Sequence, residues 1–591
     1  MSKRQFSGAF ATTKSEDGCG VWGWFIKELN SEAPEIFKGS EIDDFIATLW
    51  DNKDITTIYM HGLKYYAYFI IDFLLSSKQF KYVRSKDEAR DQTFTAMILP
   101  GGAFYAIDIY FEVKIDKSSR RSVHKVTFRD TEKLIKMGAW ELSAAFKLDK
   151  ILVEDYLMED KPYPYEPTEE EYKELEIRCD IADNVLTAVH RKQIFSNTLA
   201  AGALRSYRED YQRDFAKLFP LIEPEIDWAL RQAYVGGFNY LNPDYRGKET
   251  GPGVMIDVNS MYPYILSSAS KCKLPVGQPV YFKGKYTKNE TCPLFVQHFS
   301  CAFQLKENHI PTIRMRNYGD FDPQEYVTNS HGNTWELTMA MPDLKVFLEN
   351  YDVMHMNYID GYMFKSKDGL FDDFIYNWLD IKNKAKKSKD AVSEYLAKSV
   401  LNMLGGKFAA FNNSHKMEPY LDEYDCLCFE EYRGKEHADP VYCPVAIFMN
   451  SWARYYLIRM SQKITDWGIK AKGFNPVVYH DTDCIAVLAT IDELKKNIKA
   501  LRIDDYKLGA FKIENTFERA KWLRQKTYCL DLGSGNIKIT AAGLPSAIVP
   551  YITYDDFMTG FTTEKMDEAL KRPLYRAVPG GCVIDHTEYT F

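Results

Sequence analysis

Runs of apolar, β-branched residues alternate along the chain with longer amphipathic stretches, and the two periods mark out its regions. Strand-like runs over 21–24 and 57–60 precede an apolar stretch, 67–75, whose length suits a helix. Residues 93–111 have strand character on both sides of Gly101-Gly102, a turn signal. A Pro-punctuated acidic passage, 160–171, leads into a helical stretch through Arg178, Asp180 and Asp183 to His190, which reads as a solvated, charged helix. Residues 1 to about 195 thus predict an α/β unit. A charged helical connector over 206–231 ends in Tyr234-Val235-Gly236-Gly237-Phe238. There the paired glycines suit either a close backbone approach or a simple turn.

From Gly253 an apolar run breaks at Asp257, with Ser260 placed to cap a helix and Pro263 in its first turn. Residues 270–370 carry short strands with Pro and Gly turns and read as an insertion. A helix pair follows over 372–387 and 390–404, with Gly405-Gly406 as its C-cap. After an acidic loop at 422–436 and a helix over 448–461 comes P-V-V-Y-H-D-T-D-C-I-A-V, residues 476–487, which predicts two buried strands and a tight turn. Residues 517–528 interleave basic and aromatic side chains, a mixture that suits a phosphate backbone or a solvated face. Val578-Pro579-Gly580-Gly581 makes a turn before a last strand.

At 591 residues the chain is too long for one core, which predicts several domains. Hydrophobic content of 46% and 15% aromatics place it among globular proteins, and 40 tyrosines supply amphipathic contact surface. A net charge of −8 excludes a uniformly basic surface, so nucleic-acid binding would rest on local clusters. The 11 cysteines never form C-x-x-C and fit a reducing interior better than a disulfide framework. Apolar runs fall short of a membrane span, since 65–75 is interrupted by Asp72, and M-S-K-R-Q-F lacks a signal-peptide pattern. The expectation is a soluble, intracellular protein.

Candidate chemistry starts at Asp481-Thr482-Asp483. Residues two apart on an extended segment point to one side, so both carboxylates can face one small volume. Such a pair repels unless a cation or shared proton lies between, and hard oxygen ligands suit Mg²⁺ or Mn²⁺. A plain polar turn explains the same residues. Asp257, ending a buried strand, suits a metal ligand, a cap or a salt bridge. Lys382, Lys384, Lys386, Lys387 and Lys389 put five lysines into eight residues, with Lys398 and Asn402 four apart on the next helix. That set can grip a polyphosphate or form a solvated face. Carboxylates around two ions roughly 4 Å apart, beside a basic helix, are the ingredients of an in-line phosphoryl displacement.

These residues resemble the motifs of family B DNA polymerases. Asp257-x-x-Ser260-x-Tyr262-Pro263 is similar to motif A, Lys398-x-x-x-Asn402 to motif B, and Tyr479-x-Asp481-Thr482-Asp483 to motif C, in family order. Tyr234-x-Gly236-Gly237 and Lys526-Thr527-Tyr528 narrow the resemblance to the protein-primed branch found in bacteriophages. It covers nearly the whole chain. The resemblance implies an α/β multi-domain fold: an N-terminal RNase H-like, exonuclease-type domain over 1–197 and a right-hand polymerase domain. In the latter, 198–269 and 437–541 would form the palm, 371–411 the fingers and 542–591 the thumb, with insertions at 270–370 and 412–436. It also implies that Asp257 and Asp483, with the Val258 carbonyl, hold two Mg²⁺ ions that Mn²⁺ can replace, and that Asp481 supports them. Tyr262 would exclude a ribose 2′-hydroxyl, while Lys382, Lys398, Asn402 and Gly405 would face the incoming dNTP. Tyr234, Gly236 and Gly237 would touch the template strand, and Lys526, Thr527 and Tyr528 the primer. The implied partners are primer-template DNA, dNTPs and a priming terminal protein. A monomer in the cytoplasm of an infected bacterium, with no membrane contact, is expected.

The chain departs from the family at two places. Its exonuclease motifs should carry Asp-x-Glu, an Asn and Asp pair, and Tyr-x-x-x-Asp. Here those positions hold Ala9 and Ala11, Gly62 and Tyr66, and Glu176 with Asp180. One surviving carboxylate cannot assemble a two-metal site, so the expectation is a domain that keeps its fold and has lost proofreading. The change to Ala-x-Ala has the form of deliberate inactivation, and natural decay would give the same residues. Motif B reads Asn402-Met403-Leu404-Gly405-Gly406 where the family has Asn-Ser-x-Tyr-Gly. The expectation at Gly405 is a hole of aromatic size and weaker stacking on the nascent base pair.

Overall fold

The computed structural model describes residues 3–591 apart from 16–17, 101–102, 116–120, 150–160, 162–164, 315–325, 411–415, 433–440 and 568–569. The Gly101-Gly102 turn, part of the acidic passage at 160–171 and the end of the 422–436 loop lie outside the described residues. The strand-like runs of the first region build one eight-stranded mixed sheet. Its order is Ile36–Gly39, Gly18–Glu28, Arg4–Ser15, Ile55–Met60, Arg121–Asp130, Ala103–Ile115, Thr93–Leu99 and Lys81–Tyr82. The apolar stretch at 67–75 is the centre of a helix, Leu63–Ser76, whose Tyr65, Tyr66, Phe69 and Ile70 are buried with Phe6, Phe10 and Phe45 in one core.

The charged stretch that ends at His190 is a helix, Glu169–Arg191, capped by Thr168 and Glu171 in a capping box. It is not a solvated helix. Leu175, Cys179 and Ile181 are buried, and so are Glu174 and Arg178, which face each other at 3.7 Å. Charge on a helix reads as exposure, but a paired i,i+4 couple can go under.

The connector breaks into Leu199–Ser206, a π-helical turn Tyr207–Tyr211, and the short helices Phe215–Leu218 and Pro224–Arg231. Pro220 and Pro224 preclude one continuous helix. The 270–370 region keeps two short strands, Ile313–Arg314 and Tyr326–Val327, but its main strands are longer than expected. Leu274–Lys283, Tyr351–Lys367, Leu294–Leu305 and Trp335–Ala340 form an antiparallel sheet backed by the helix Met341–Asn350. Register shifts between His298 and Phe299 and between Ser300 and Ala302 interrupt the alternation, which hides their length in the sequence.

A five-stranded antiparallel sheet lies at the centre, in the order Phe511–Phe517, Gly253–Val258, Cys484–Val487, Val477–Asp481, Asn239–Leu241. Val254, Ile256 and Val258 face the core built on the helix Pro444–Lys472, which includes Phe448, Leu457 and Ile464. Met255 points the other way, against Tyr479, Cys484, Trp522 and Tyr528. The helices Asp372–Ser388 and Ala391–Lys407 pack together beside this sheet. The second runs through Gly405-Gly406 to Lys407 and does not stop at the expected C-cap.

Two hairpins lean on the first region. Lys416–Leu421 with Leu427–Tyr432 reaches it through Glu418 to Arg84 at 2.6 Å and Phe429 against Phe104 at 5.6 Å. Arg572–Val578 with Gly581–Thr587 reaches it through Tyr575 against Tyr65 at 5.7 Å. All 11 cysteines are free, and no helix among the described residues is long and apolar enough to cross a membrane.

Candidate active site

The central sheet sets where the carboxylates lie. Asp257 pairs with Cys484 on one side and with Lys512 on the other, one residue before its strand ends. The expected hairpin is present, with Asp481 paired to Cys484 across the turn. The segment 481–483 is not extended, however. Thr482 has φ +61, so Asp481 and Asp483 do not share a strand face. They separate into two environments.

Asp481 accepts from the Tyr479 hydroxyl and the Thr482 hydroxyl, both at 3.3 Å, and lies 3.5 Å from the Lys526 ammonium. Among the described residues no side chain donates to the Asp483 carboxylate, which has only its own backbone N–H beside it. Burial, and next the charge of Asp257, hold its pKa well above the usual range, with Lys512 opposing. Asp257 is raised too, by burial first, although Lys512 donates to it at 2.9 Å and Lys398 adds a second positive field. The Asp483 carbonyl accepts from the Val258 N–H at 2.9 Å, which fixes the two strand ends side by side.

The donor chemistry fits divalent cations. Two desolvated carboxylates that repel each other, one of them with no side-chain donor, are what hard ions such as Mg²⁺ neutralise. Among the described residues no group of three or more His, Cys, Asp or Glu is gathered to hold a metal. A site here would rest on two carboxylates plus oxygen from the backbone and substrate, a set Mg²⁺ commonly accepts.

Around the pair the structure gathers several of the expected residues. Tyr262 is half-buried and within the electrostatic reach of Arg454, Asp483, Tyr234 and Asp481; burial pushes its phenol to about 12. Ser260 stands at the start of the helix Met261–Leu266 but does not cap it, having φ +51. Its hydroxyl instead accepts from Lys382 at 3.3 Å. Lys382 has its pKa lowered by burial and by the neighbouring Lys512 and Lys398. The lysine run therefore splits: Lys382 turns to the site, while Lys384 pairs with Asp380 at 2.6 Å. Lys398 and Asn402 share an exposed face of their helix.

The glycine pair has its reason in Thr482. A Cβ on Gly237 would meet the Thr482 side chain at 2.8 Å, whereas at Gly236 it would meet open space. Phe238 continues the contact by accepting from the Thr482 N–H at 2.8 Å. Lys526 occupies a left-handed turn at φ +53 and donates its N–H to the Tyr479 hydroxyl at 2.9 Å. Thr527 and Tyr528 are buried, Tyr528 against Tyr479 and Trp522, so only Lys526 of the three is open to a passing strand.

Gly405 is not beside a hole. A Cβ there would overlap Met449 Sδ and come within 2.8 Å of Met449 Cε and 3.5 Å of Leu266 Cδ1. Met449, from the long helix, fills the volume and is itself buried.

The strand of Ala9 and Ala11 packs on the helix that carries Glu176 and Asp180, but through apolar side chains. Ala9 and Ala11 are packed with Trp22, Phe25, Leu175 and Cys179. Gly62 donates its N–H to Asp130, and Tyr66 stands edge-on to Phe10 at 5.5 Å. Asp180 is tied to Lys27 at 2.9 Å, which Glu176 shares.

Two residues that the sequence did not single out prove central. Arg454, buried in the long helix, forks onto Asp343 and also donates to the carbonyls of Val235 and Gly236. Lys512 grips Asp257. Its only sequence signal was the alternation of Phe511-Lys512-Ile513-Glu514, which places a lysine and a glutamate on one strand face.

An antiparallel sheet carrying an acid pair, with a basic helix pair beside it and a separate mixed-sheet domain in front, is the architecture of a DNA-directed DNA polymerase. The chain belongs to the DNA polymerase type B family, organellar and viral, whose pattern matches residues 176–499. The DNA polymerase of Bacillus phage M2 is 32% identical over 610 residues, all of both chains. That of Bacillus phage phi29 is 32% identical over 608 residues, covering 100% of this chain and 99% of its own. That of Streptococcus phage Cp-1 is 26% identical over 608 residues, 99% and 98% of the two. The solved structure of phi29 DNA polymerase complexed with primer-template DNA and incoming nucleotide substrates matches all of both chains, with a TM-score of 0.86 at 30% identity.

Proposed function

We propose that this polymerase extends a primer 3′-hydroxyl with dNTPs on a template strand, at a site built on Asp257 and Asp483. The observation that carries this reading is the desolvated, mutually repelling pair, with Asp257 beside Cys484 in the sheet and the Asp483 carbonyl bonded to the Val258 N–H. Two Mg²⁺ ions, or Mn²⁺ in their place, would be held by Asp257, Asp483 and the Val258 carbonyl, and would supply activation of the hydroxyl and charge neutralisation on the phosphates.

The chain's own residues do the rest. Lys382 and Lys398 face the triphosphate from the helix pair, with Asn402 on the same exposed face as Lys398, and Tyr262 closes the sugar side. Asp481 orients Lys526 toward the primer backbone, with Thr527 and Tyr528 anchoring that turn from beneath. Tyr234, Gly236 and Gly237 meet the template, held in place by Arg454. The primer hydroxyl displaces pyrophosphate in line at the α-phosphate.

Primer extension on a short template tests this reading, with Asp257→Asn and Asp483→Asn as controls. Loss of about 10³-fold or more in rate is expected in each. A parent no faster than its controls would leave a DNA-binding homologue that has lost its chemistry.

The nuclease positions support a polymerase without 3′–5′ proofreading, whether Ala9 and Ala11 were introduced or arose naturally. Asp180 is committed to Lys27, and apolar side chains pack around both alanines. The expected result is no nucleotide release from a mismatched 3′ end with Mg²⁺ and no dNTPs; measurable release refutes it. The 270–370 and 412–436 regions, by the same reading, receive a priming terminal protein and enclose DNA for processive, strand-displacing synthesis. A monomer working in the cytoplasm of an infected bacterium completes it.

A further inference from the structure

The partner of Asp257 is set by the sheet. Lys512 stands directly across from it in the antiparallel pair, so its Cα cannot leave the site. Its ammonium lies 2.9 Å from Asp257 Oδ1, and it also feels the charges of Glu514 and Asp483. The lysine side chain is 39% exposed, against 16% for the aspartate, so its four-carbon stem has solvent to swing into. Asp481, by contrast, meets Lys526 only at 3.5 Å. Both carboxylates of the central pair lie in the field of this one bonded cation.

We propose that Lys512 is a resident counter-ion for the carboxylate pair, occupying the Asp257 oxygen that a divalent cation would take and leaving it when that cation binds. The inference rests on the reading of Asp257 and Asp483 as cation ligands. Without the lysine, two desolvated acids would face each other with no bonded cation, and only the more distant Lys398 would offset them, whenever the site holds no metal. With it, one oxygen of Asp257 keeps a cationic partner, and a cation that takes that oxygen must displace a bound ammonium. Lys512 is thus a positioning residue that exchanges metal affinity for stability of the metal-free site.

The proposal predicts opposite signs for two measurements on one substitution. Mn²⁺ binding to enzyme free of DNA and nucleotide is followed by the electron paramagnetic resonance of unbound Mn²⁺. Lys512→Met is expected to bind about tenfold more tightly than the parent, since a competing unit charge at contact distance is gone. Lys512→Gln keeps a polar tip without charge and should behave like Lys512→Met if the latter disturbs folding. Lys512→Arg, which keeps the charge, should bind no more tightly than the parent. In EDTA the two neutral variants should melt below the parent, and saturating Mg²⁺ should close that gap. Binding by the neutral variants no tighter than the parent's overturns the proposal. Asp483→Asn separates the two levels: if it binds Mn²⁺ as the parent does, the ligand assignment itself is wrong and the proposal falls with it.

Discussion

Gly405 offers the sharpest test, because the chain and its fold point in opposite directions there. The family pattern places a tyrosine at this position, which makes Gly405→Tyr look like a restoration that should lower the KM for dNTPs. The structure fills that space with Met449: even a single Cβ at 405 would overlap its Sδ and lie 2.8 Å from its Cε. For Gly405→Ala, two terms compete. Alanine in a helix interior gains about 1 kcal/mol over glycine. Forcing a buried methionine aside in a packed core costs about 1–3 kcal/mol. The net expectation is a loss of ~0–2 kcal/mol, and for Gly405→Tyr a loss of ~3 kcal/mol or more, since Leu266 also stands in the way. Removing the obstacle changes the sign. With Met449→Ala in the background, the alanine at 405 recovers its helix gain, so the double-mutant cycle should show a favourable coupling of about 1–3 kcal/mol. Thermal unfolding of the four proteins gives the cycle, and steady-state primer extension gives the KM of each tyrosine variant. Gly405→Tyr should lower KM only alongside Met449→Ala or Met449→Gly. A lower KM and an undiminished melting point with Met449 intact would show that the hole exists after all.

Asp72 and Arg454 make two further predictions. Asp72 is 4% exposed, and burial, opposed by the Gly580 N–H, raises its carboxyl to about 7. The folded chain holds a proton that the unfolded chain releases, so this contribution is full below about pH 4 and is lost as pH rises through 7. Asp72→Asn should then stabilise the protein by about 2–4 kcal/mol at pH 8 and by almost nothing at pH 4. A pH-independent gain in melting temperature refutes the assignment. Arg454→Met should cost about 3–5 kcal/mol, because it strands Asp343 and the two carbonyls of the Val235-Gly236 segment. Arg454→Lys, which cannot fork, should recover less than half, and equal stability of Lys and Arg forms would sink the argument.

What could be read from the chain alone was whatever depends on local period. The hairpin at 477–487, the helix pair with its lysines and the apolar helix at 63–76 all carry their pattern within a short window. The connector broken by Pro220 and Pro224 and the left-handed Thr482 failed for local reasons; three other failures share one cause, an environment supplied by residues remote in sequence. Gly405-Gly406 looks like a helix stop until Met449 is brought against it. Ser260 looks like a cap until Lys382 claims its hydroxyl. Arg178 and Glu174 look solvated until the sheet covers them.

The same cause explains why half of the acid pair's environment was visible and half was not. Asp481-Thr482-Asp483 announces itself, since three polar residues interrupt two buried strands. Lys512 is a single lysine in an ordinary alternating strand, and its importance comes from sheet order. The strand of Asp257 lies between strands 227 and 255 residues further along, counted from Asp257 to its partners Cys484 and Lys512. No local window contains that adjacency. The consequence reaches the chemistry: motif residues define which carboxylates meet, but the charge each one faces in the metal-free state is decided by whichever strand the fold lays beside it. If Asp257 and Asp483 hold cations as proposed, position 512, outside all five motifs, is where cation affinity should first be tuned.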